Sequence, residues 1–154
     1  MMQRLTNKER ERIVLSKLRR YPQYIKNRAE YRDKMLLGTA RHDDSGVRGS
    51  GTSNPTEARG ISLANPPARL LTEWNWIEAI DEAREDLRLE DGGSDRGYVY
   101  IMERVFLTER KRSENKAAKE DVQNACGICH ATFYKRISEI VNCVMYRASK
   151  KGLI

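Results

Sequence analysis

Residues 117–141 read AAKEDVQNACGICHATFYKRISEIV, and their pattern decides how the C-terminal part of the chain folds. A short segment without proline leads to Gly127, and a second segment with apolar residues at helical spacing follows it. Glycine commonly follows the last residue of a helix, because it adopts left-handed backbone angles without strain. We therefore expect two helices, at about 117–125 and 130–149, joined by a short turn at Gly127.

Two helices joined by a short glycine-containing turn are typical of a helix-turn-helix. When Gly127 takes the ninth position of such a unit, four residues fall where apolar side chains must pack, namely Val122, Cys126, Ile128 and Phe133. Gln123 stands where a small residue is usual. The same phase directs polar side chains of the second helix outward, toward a major groove or its phosphates. The groove-facing residues are Cys129, His130, Ala131, Tyr134, Lys135 and Ser138, and those better placed for phosphates are Thr132 and Arg136.

Residues 126–136, CGICHATFYKR, resemble the helix-turn-helix of sigma-factor fourth-region domains. Cys129 replaces the serine that usually caps the second helix of that motif, which weakens the cap. The wider layout, with its Tyr-Pro-Gln-Tyr element at 21–24 and its SNPTE stretch at 53–57, resembles the RinA-type activators of phage late genes. This resemblance implies a protein of the bacterial host cytoplasm that binds promoter DNA and activates late-gene transcription, with host RNA polymerase as a further partner.

The rest of the chain shows no strand-like alternation, so we expect an all-α helical bundle. Residues 6–9 form a capping-box sequence ahead of a helical pattern, and Pro22 predicts a break or the start of a second helix. Residues 38–64 are rich in glycine and serine, which predicts a flexible linker between a basic helical arm (1–37) and a helical domain (65–154). Within that domain a further helix is expected at about 98–109.

Lysine and arginine outnumber aspartate and glutamate by 29 to 22, which gives a net charge of +7. The charge is unevenly placed: +7 in residues 1–37, −6 in 38–95 and +6 in 96–154. Two basic segments indicate a polyanionic partner such as double-stranded DNA. For residues 1–37 both DNA contact and intermolecular packing remain open. The acidic, apolar-faced helix expected at 67–89 favours protein contacts and suggests a homodimer or higher oligomer, with Trp74 and Trp76 as core and dimer-contact residues.

The sequence gives less support to a metal, haem, catalytic or membrane function. The CxxCH string at 126–130 matches a haem-attachment sequence or half of a zinc site. Haem attachment requires export, for which the sequence shows no signal, and a zinc site requires a complete set of ligands, which cannot be identified. No catalytic triad or phosphate-binding loop can be assembled, and no apolar run is long enough for a membrane span. We therefore expect neither an enzyme nor a metal, cofactor or membrane protein. The alternatives to the activator are a DNA-recognition subunit of a phage packaging terminase and a structural bundle without a nucleic-acid role.

Overall fold

The computed structural model describes residues 5–37 and 65–154, and every regular element in those ranges is helical. This confirms the all-α prediction for the described part of the chain, while the predicted linker at 38–64 lies outside the described residues. The α-helices are α1 (Asn7–Leu37), α2 (Ala68–Asp91), α3 (Tyr98–Met102), α4 (Asn115–Cys126) and α5 (His130–Lys150). A π-helical turn, Glu103–Leu107, continues α3, and a 3₁₀ turn, Arg112–Glu114, precedes α4.

The predicted capping box starts α1. The Thr6 backbone N–H donates to the Glu9 carboxylate at 2.7 Å, and the Glu9 N–H donates back to the Thr6 hydroxyl at 3.3 Å. These bonds satisfy backbone donors that have no partner inside the helix. The bonds that the Thr6 backbone N–H and the Thr6 hydroxyl donate to the carboxylate lower the pKa of Glu9.

The break predicted at Pro22 is wrong, because α1 runs through this residue for 31 residues. A proline inside a helix removes one backbone hydrogen bond and costs about 3 kcal/mol. Here the neighbours of Pro22 supply tertiary contacts that offset this cost. Leu18, Tyr21 and Tyr24 are buried, and the Tyr21 hydroxyl donates to Asp81 of α2 at 2.7 Å.

Helix α1 also differs from the separate arm that the sequence suggested. Its buried side chains, among them Val14 and Leu18, belong to the same hydrophobic core as those of α2 and α5. Near its C-terminal end, Asn27 donates to the buried carboxylate of Glu73 at 3.0 Å. Its buried residues lie on both sides of Pro22, so residues 7–37 form part of the same packed helical body as α2 and α5.

Helix α2 lies at the centre of this body and packs against α1, α3 and α5. Its fully buried residues include Ile77, Ile80 and Ala83. Three of its carboxylates pair with cations at and just after the C-terminal end of α5. Arg147 donates two hydrogen bonds of 2.6 Å to Asp86, and the ammonium of Lys151 lies between carboxylates of α2.

The same contacts fix the directions of the three long helices. Tyr21 of α1 meets Asp81 and Asn27 meets Glu73, so α1 runs antiparallel to α2. Arg147 of α5 meets Asp86 and Lys151 meets Glu78, so α5 is also antiparallel to α2. Helices α1 and α5 are therefore parallel, and both begin at the end of the body where α2 finishes.

A carboxylate from α2 caps α3 across the intervening turn. The Asp91 side chain accepts hydrogen bonds from the backbone N–H groups of Tyr98 at 2.7 Å and Val99 at 2.9 Å. Gly97 makes this approach possible, because a Cβ atom there would lie 2.0 Å from Asp91 Oδ1. The single α-helix predicted at 98–109 is shorter than expected, because it changes to the π-helical turn at Glu103 and ends at Leu107.

Candidate nucleic-acid interface

Helices α4 and α5 meet at a turn whose shape depends on Gly127. This residue has φ 62° and ψ 31°, and its N–H donates to the Asn124 carbonyl at 3.1 Å. These are left-handed angles, which a residue with a Cβ atom adopts only with strain. Cys129 then takes extended angles, and α5 begins at His130. The glycine turn between two helices is thus where the sequence predicted it.

The inward-facing positions predicted from the sequence are confirmed. Val122 and Phe133 are buried, and Cys126 and Ile128 are partly buried against the same core. Burial raises the pKa of the Cys126 thiol, as expected for a small side chain set into apolar surroundings. Gln123, at the position where a small residue is usual, is partly buried.

The outward-facing residues divide into two groups. Thr132 and Arg136 are partly buried, whereas the other predicted outward-facing residues are exposed, and these are Cys129, His130, Ala131, Tyr134, Lys135 and Ser138. The exposed set occupies the first turns of α5. Lys135 has no ion-pair partner among the residues that the structure describes. These turns therefore offer hydrogen-bonding groups and positive charge to solvent.

An aromatic cluster organises this exposed surface. The rings of His130 and Tyr134 lie 4.5 Å apart, and the ammonium of Lys119 on α4 lies 5.7 Å from the centre of the Tyr134 ring. An ammonium within about 6 Å of a ring face is attracted by its quadrupole. Lys119 was not among the predicted contact residues, because its approach to Tyr134 depends on the angle between α4 and α5, which the local sequence pattern does not give.

Arg136 has a partner within the protein. Its guanidinium lies 5.7 Å from the centre of the Tyr98 ring, and the Tyr98 hydroxyl donates to Glu139 at 2.6 Å. That hydrogen bond, followed by burial, raises the pKa of Tyr98. Arg96 adds a bond of 2.7 Å to the Ala125 carbonyl, one of the terminal carbonyls of α4 that lack a partner inside the helix. Arg96 and Tyr98, which follow α2, thus hold α4 and α5 in place through these two contacts.

The N-terminus of α5 lacks the side-chain cap that serine would provide. Cys129 makes no side-chain capping hydrogen bond to the backbone, in agreement with the weakened cap expected there. Its thiol lies 3.1 Å from the Thr132 hydroxyl, and this contact, followed by the nearby backbone N–H groups of the first turn, lowers the pKa of Cys129. The first-turn N–H groups of a helix have no partner inside it, so those of α5 suit an external acceptor such as phosphate.

All three cysteines are free thiols, and across residues 5–37 and 65–154 no cluster of His, Cys, Asp or Glu is suited to hold a metal ion. Within those ranges no helix has both the length and the apolar character that a bilayer crossing requires. Comparison of the chain with protein-family models, curated proteins and solved structures gave no match.

Proposed function

We propose that this protein is a sequence-specific DNA-binding transcriptional regulator in which α4 and α5 act as a helix-turn-helix. One observation carries the proposal. The first turns of α5 bury Phe133 in the core, while His130, Tyr134 and Lys135 are exposed. A helix that reads a major groove needs such a division, because its inner face must hold it rigidly against the body.

The exposed side chains have the chemistry for reading base edges. Histidine and lysine can donate to guanine N7 or O6, and the methyl group of Ala131 can contact a thymine methyl. Ser138 and Tyr134 offer hydroxyl groups for bases or phosphates. The first-turn amides of α5 and the Thr132 hydroxyl suit a phosphate oxygen.

Two contact assignments change in the light of the geometry. Lys119 joins the proposed interface, because its contact with Tyr134 holds its charge beside the exposed face of α5. Arg136 is proposed chiefly as a support for α5, because its guanidinium already lies over Tyr98. Replacing Arg136 would consequently mix a loss of packing with any loss of phosphate contact.

Promoter DNA is the proposed target, and activation of phage late genes the proposed role. The similarity of residues 126–136 to sigma-factor fourth-region domains supports a promoter, and the wider resemblance to RinA-type activators supports positive regulation. Host RNA polymerase is a proposed partner on the same basis. A second copy of the chain is proposed from the long apolar-faced helix that the sequence predicts at 67–89.

The test begins with selection of bound fragments from genomic DNA, followed by a promoter assay on the selected fragment. Dissociation constants are then measured between 50 and 200 mM salt for the wild type, Lys135→Ala and Lys150→Ala. Both lysines are exposed on α5, but 15 residues of helix separate them by about 22 Å.

We expect Lys135→Ala to weaken binding and to reduce the slope of log K against log salt by about 0.9, which corresponds to one released counterion. Lys150→Ala should retain the wild-type affinity and slope. Absence of any salt-dependent DNA binding by the wild type, or equal behaviour of the two variants, would contradict the proposed interface.

A further inference from the structure

Six polar residues form a continuous row along the exposed side of α1. They follow one another at intervals of three or four residues, which places them on one helix face. That face is opposite the one carrying the buried residues Val14, Leu18 and Tyr21. The members of this α1 row are Lys8, Arg12, Ser16, Arg19, Gln23 and Lys26, and all six are exposed.

The cations of the α1 row are largely unneutralised. Lys26 pairs with Glu109 at 2.6 Å, but Lys8, Arg12 and Arg19 have no ion-pair partner within 4.0 Å among the described residues. The Glu9 carboxylate accepts the capping bonds of Thr6 and is attracted to Arg12, but not at ion-pair distance. The acidic helix α2 differs in this respect, because α5 supplies cations for its carboxylates.

The spacing and chemistry of the row fit a phosphate backbone. The row extends over 18 residues of helix, or about 27 Å, which is the length of roughly eight base-pair steps. Arginine, lysine, serine and glutamine are all side chains that contact phosphate oxygens in protein–DNA complexes. Since α1 and α5 begin at the same end of the body, the first residues of the row lie at the end that carries the exposed turns of α5.

We propose that the α1 row is a second DNA-binding surface, which contacts the phosphate backbone of duplex DNA without reading its sequence. This inference rests on the proposed DNA-binding function and adds a surface that contributes affinity rather than specificity. An acidic protein or an anionic membrane would also meet positive charge here. The ordered spacing of phosphate-binding side chains favours duplex DNA over both.

The experiment compares two double variants that each remove two positive charges. Arg12→Gln with Arg19→Gln alters the row, and Lys34→Gln with Lys150→Gln alters exposed cations at the opposite end of the body. Glutamine is a good helix former, so both variants should keep the helical circular dichroism of the wild type. Binding to the selected DNA site and to a scrambled duplex is measured from 50 to 200 mM salt.

We expect the row variant to lose about 1.8 from the salt slope and to bind at least tenfold more weakly at about 0.1 M salt, by the same factor on both duplexes. The control variant should behave as the wild type does. Equal affinities of the row variant and the control would overturn the inference, and a Lys135→Ala effect in the same assay would show that the proposed function still stands.

A second measurement separates DNA from the other polyanions. Vesicles containing phosphatidylserine are titrated with the wild type and the row variant under the same salt conditions. Loss of vesicle binding in the row variant, together with unchanged DNA binding, would assign the row to a membrane and overturn the inference. Loss of DNA binding alone supports it.

Discussion

Replacing Gly97 with alanine should destabilise the protein, because the new methyl group would clash with the side chain of Asp91 in the preceding helix. The added Cβ atom would lie 2.0 Å from Oδ1 of Asp91, and Gly97 is buried, so the Asp91 side chain must turn away. It would then lose its hydrogen bonds to the N–H groups of Tyr98 and Val99, at 2.7 Å and 2.9 Å. Those two donors open α3, which begins without any other side-chain cap.

The magnitude follows from these two bonds. A hydrogen bond to a charged group contributes about 1.5–3 kcal/mol, but Asp91 is only partly buried and water can replace part of the loss. Alanine also lowers the conformational entropy of the unfolded chain, which stabilises the folded protein by about 0.4–1 kcal/mol. We expect a net loss of about 2 kcal/mol, which lowers the melting temperature by about 4–8 °C for a chain of this size.

A double-mutant cycle tests this cause. Free energies of unfolding are measured by urea denaturation for the wild type, Gly97→Ala, Asp91→Ala and the double variant. Because Asp91→Ala removes both the cap and the clashing oxygens, Gly97→Ala should cost little in that background. If Gly97→Ala costs the same in both backgrounds, or stabilises the wild type, the explanation by the Asp91 cap is refuted.

Three further predictions concern stability. Tyr21→Phe should cost about 1 kcal/mol at neutral pH by removing the bond to Asp81. Burial raises the pKa of Tyr21 to about 12, so the wild type should lose stability as pH rises from 10 to 12, while the variant keeps a flatter profile in alkaline denaturation curves. The hydrogen bond from Arg147 lowers the pKa of Asp86. The ion pair therefore stabilises the fold at pH values above the ordinary carboxyl pKa, and this stabilisation is lost as the pH falls and Asp86 becomes protonated. The difference in melting temperature between the wild type and Arg147→Met should accordingly shrink on acidification. Gly127→Ala should cost about 1 kcal/mol in urea denaturation because of the left-handed angles, and Gly127→Asn less, since asparagine tolerates them better; equal costs would contradict that origin.

The sequence predicted what depends on local pattern. The turn at Gly127 and the burial of Val122 and Phe133 follow from helical periodicity, which a single segment contains in full. The capping box of Thr6 and Glu9 is equally local, since its two residues lie three positions apart. The helical class of the described residues could therefore be derived without knowledge of the packing.

Features that depend on distant partners could not be predicted in this way. Pro22 reads as a helix break, and only the contacts of Tyr21 and its buried neighbours with the rest of the core keep α1 continuous. The placement of Lys119 beside Tyr134 depends on the angle between two helices. The Asp91 cap joins two elements across a glycine turn, so neither residue shows its role in its own segment.

The central position of α2 also shapes how the chain can fold during synthesis. The partners of α2 are distant in sequence: Tyr21 precedes Asp81 by 60 residues, and Arg147 follows Asp86 by 61. Helix α1 is already made when α2 leaves the ribosome, but α5 is not. At about 5–20 residues per second, the side of α2 that meets α5 waits for about 3–12 s before its partner is synthesised. During that interval the apolar surface around Ala83 is open to chaperones and to neighbouring nascent chains.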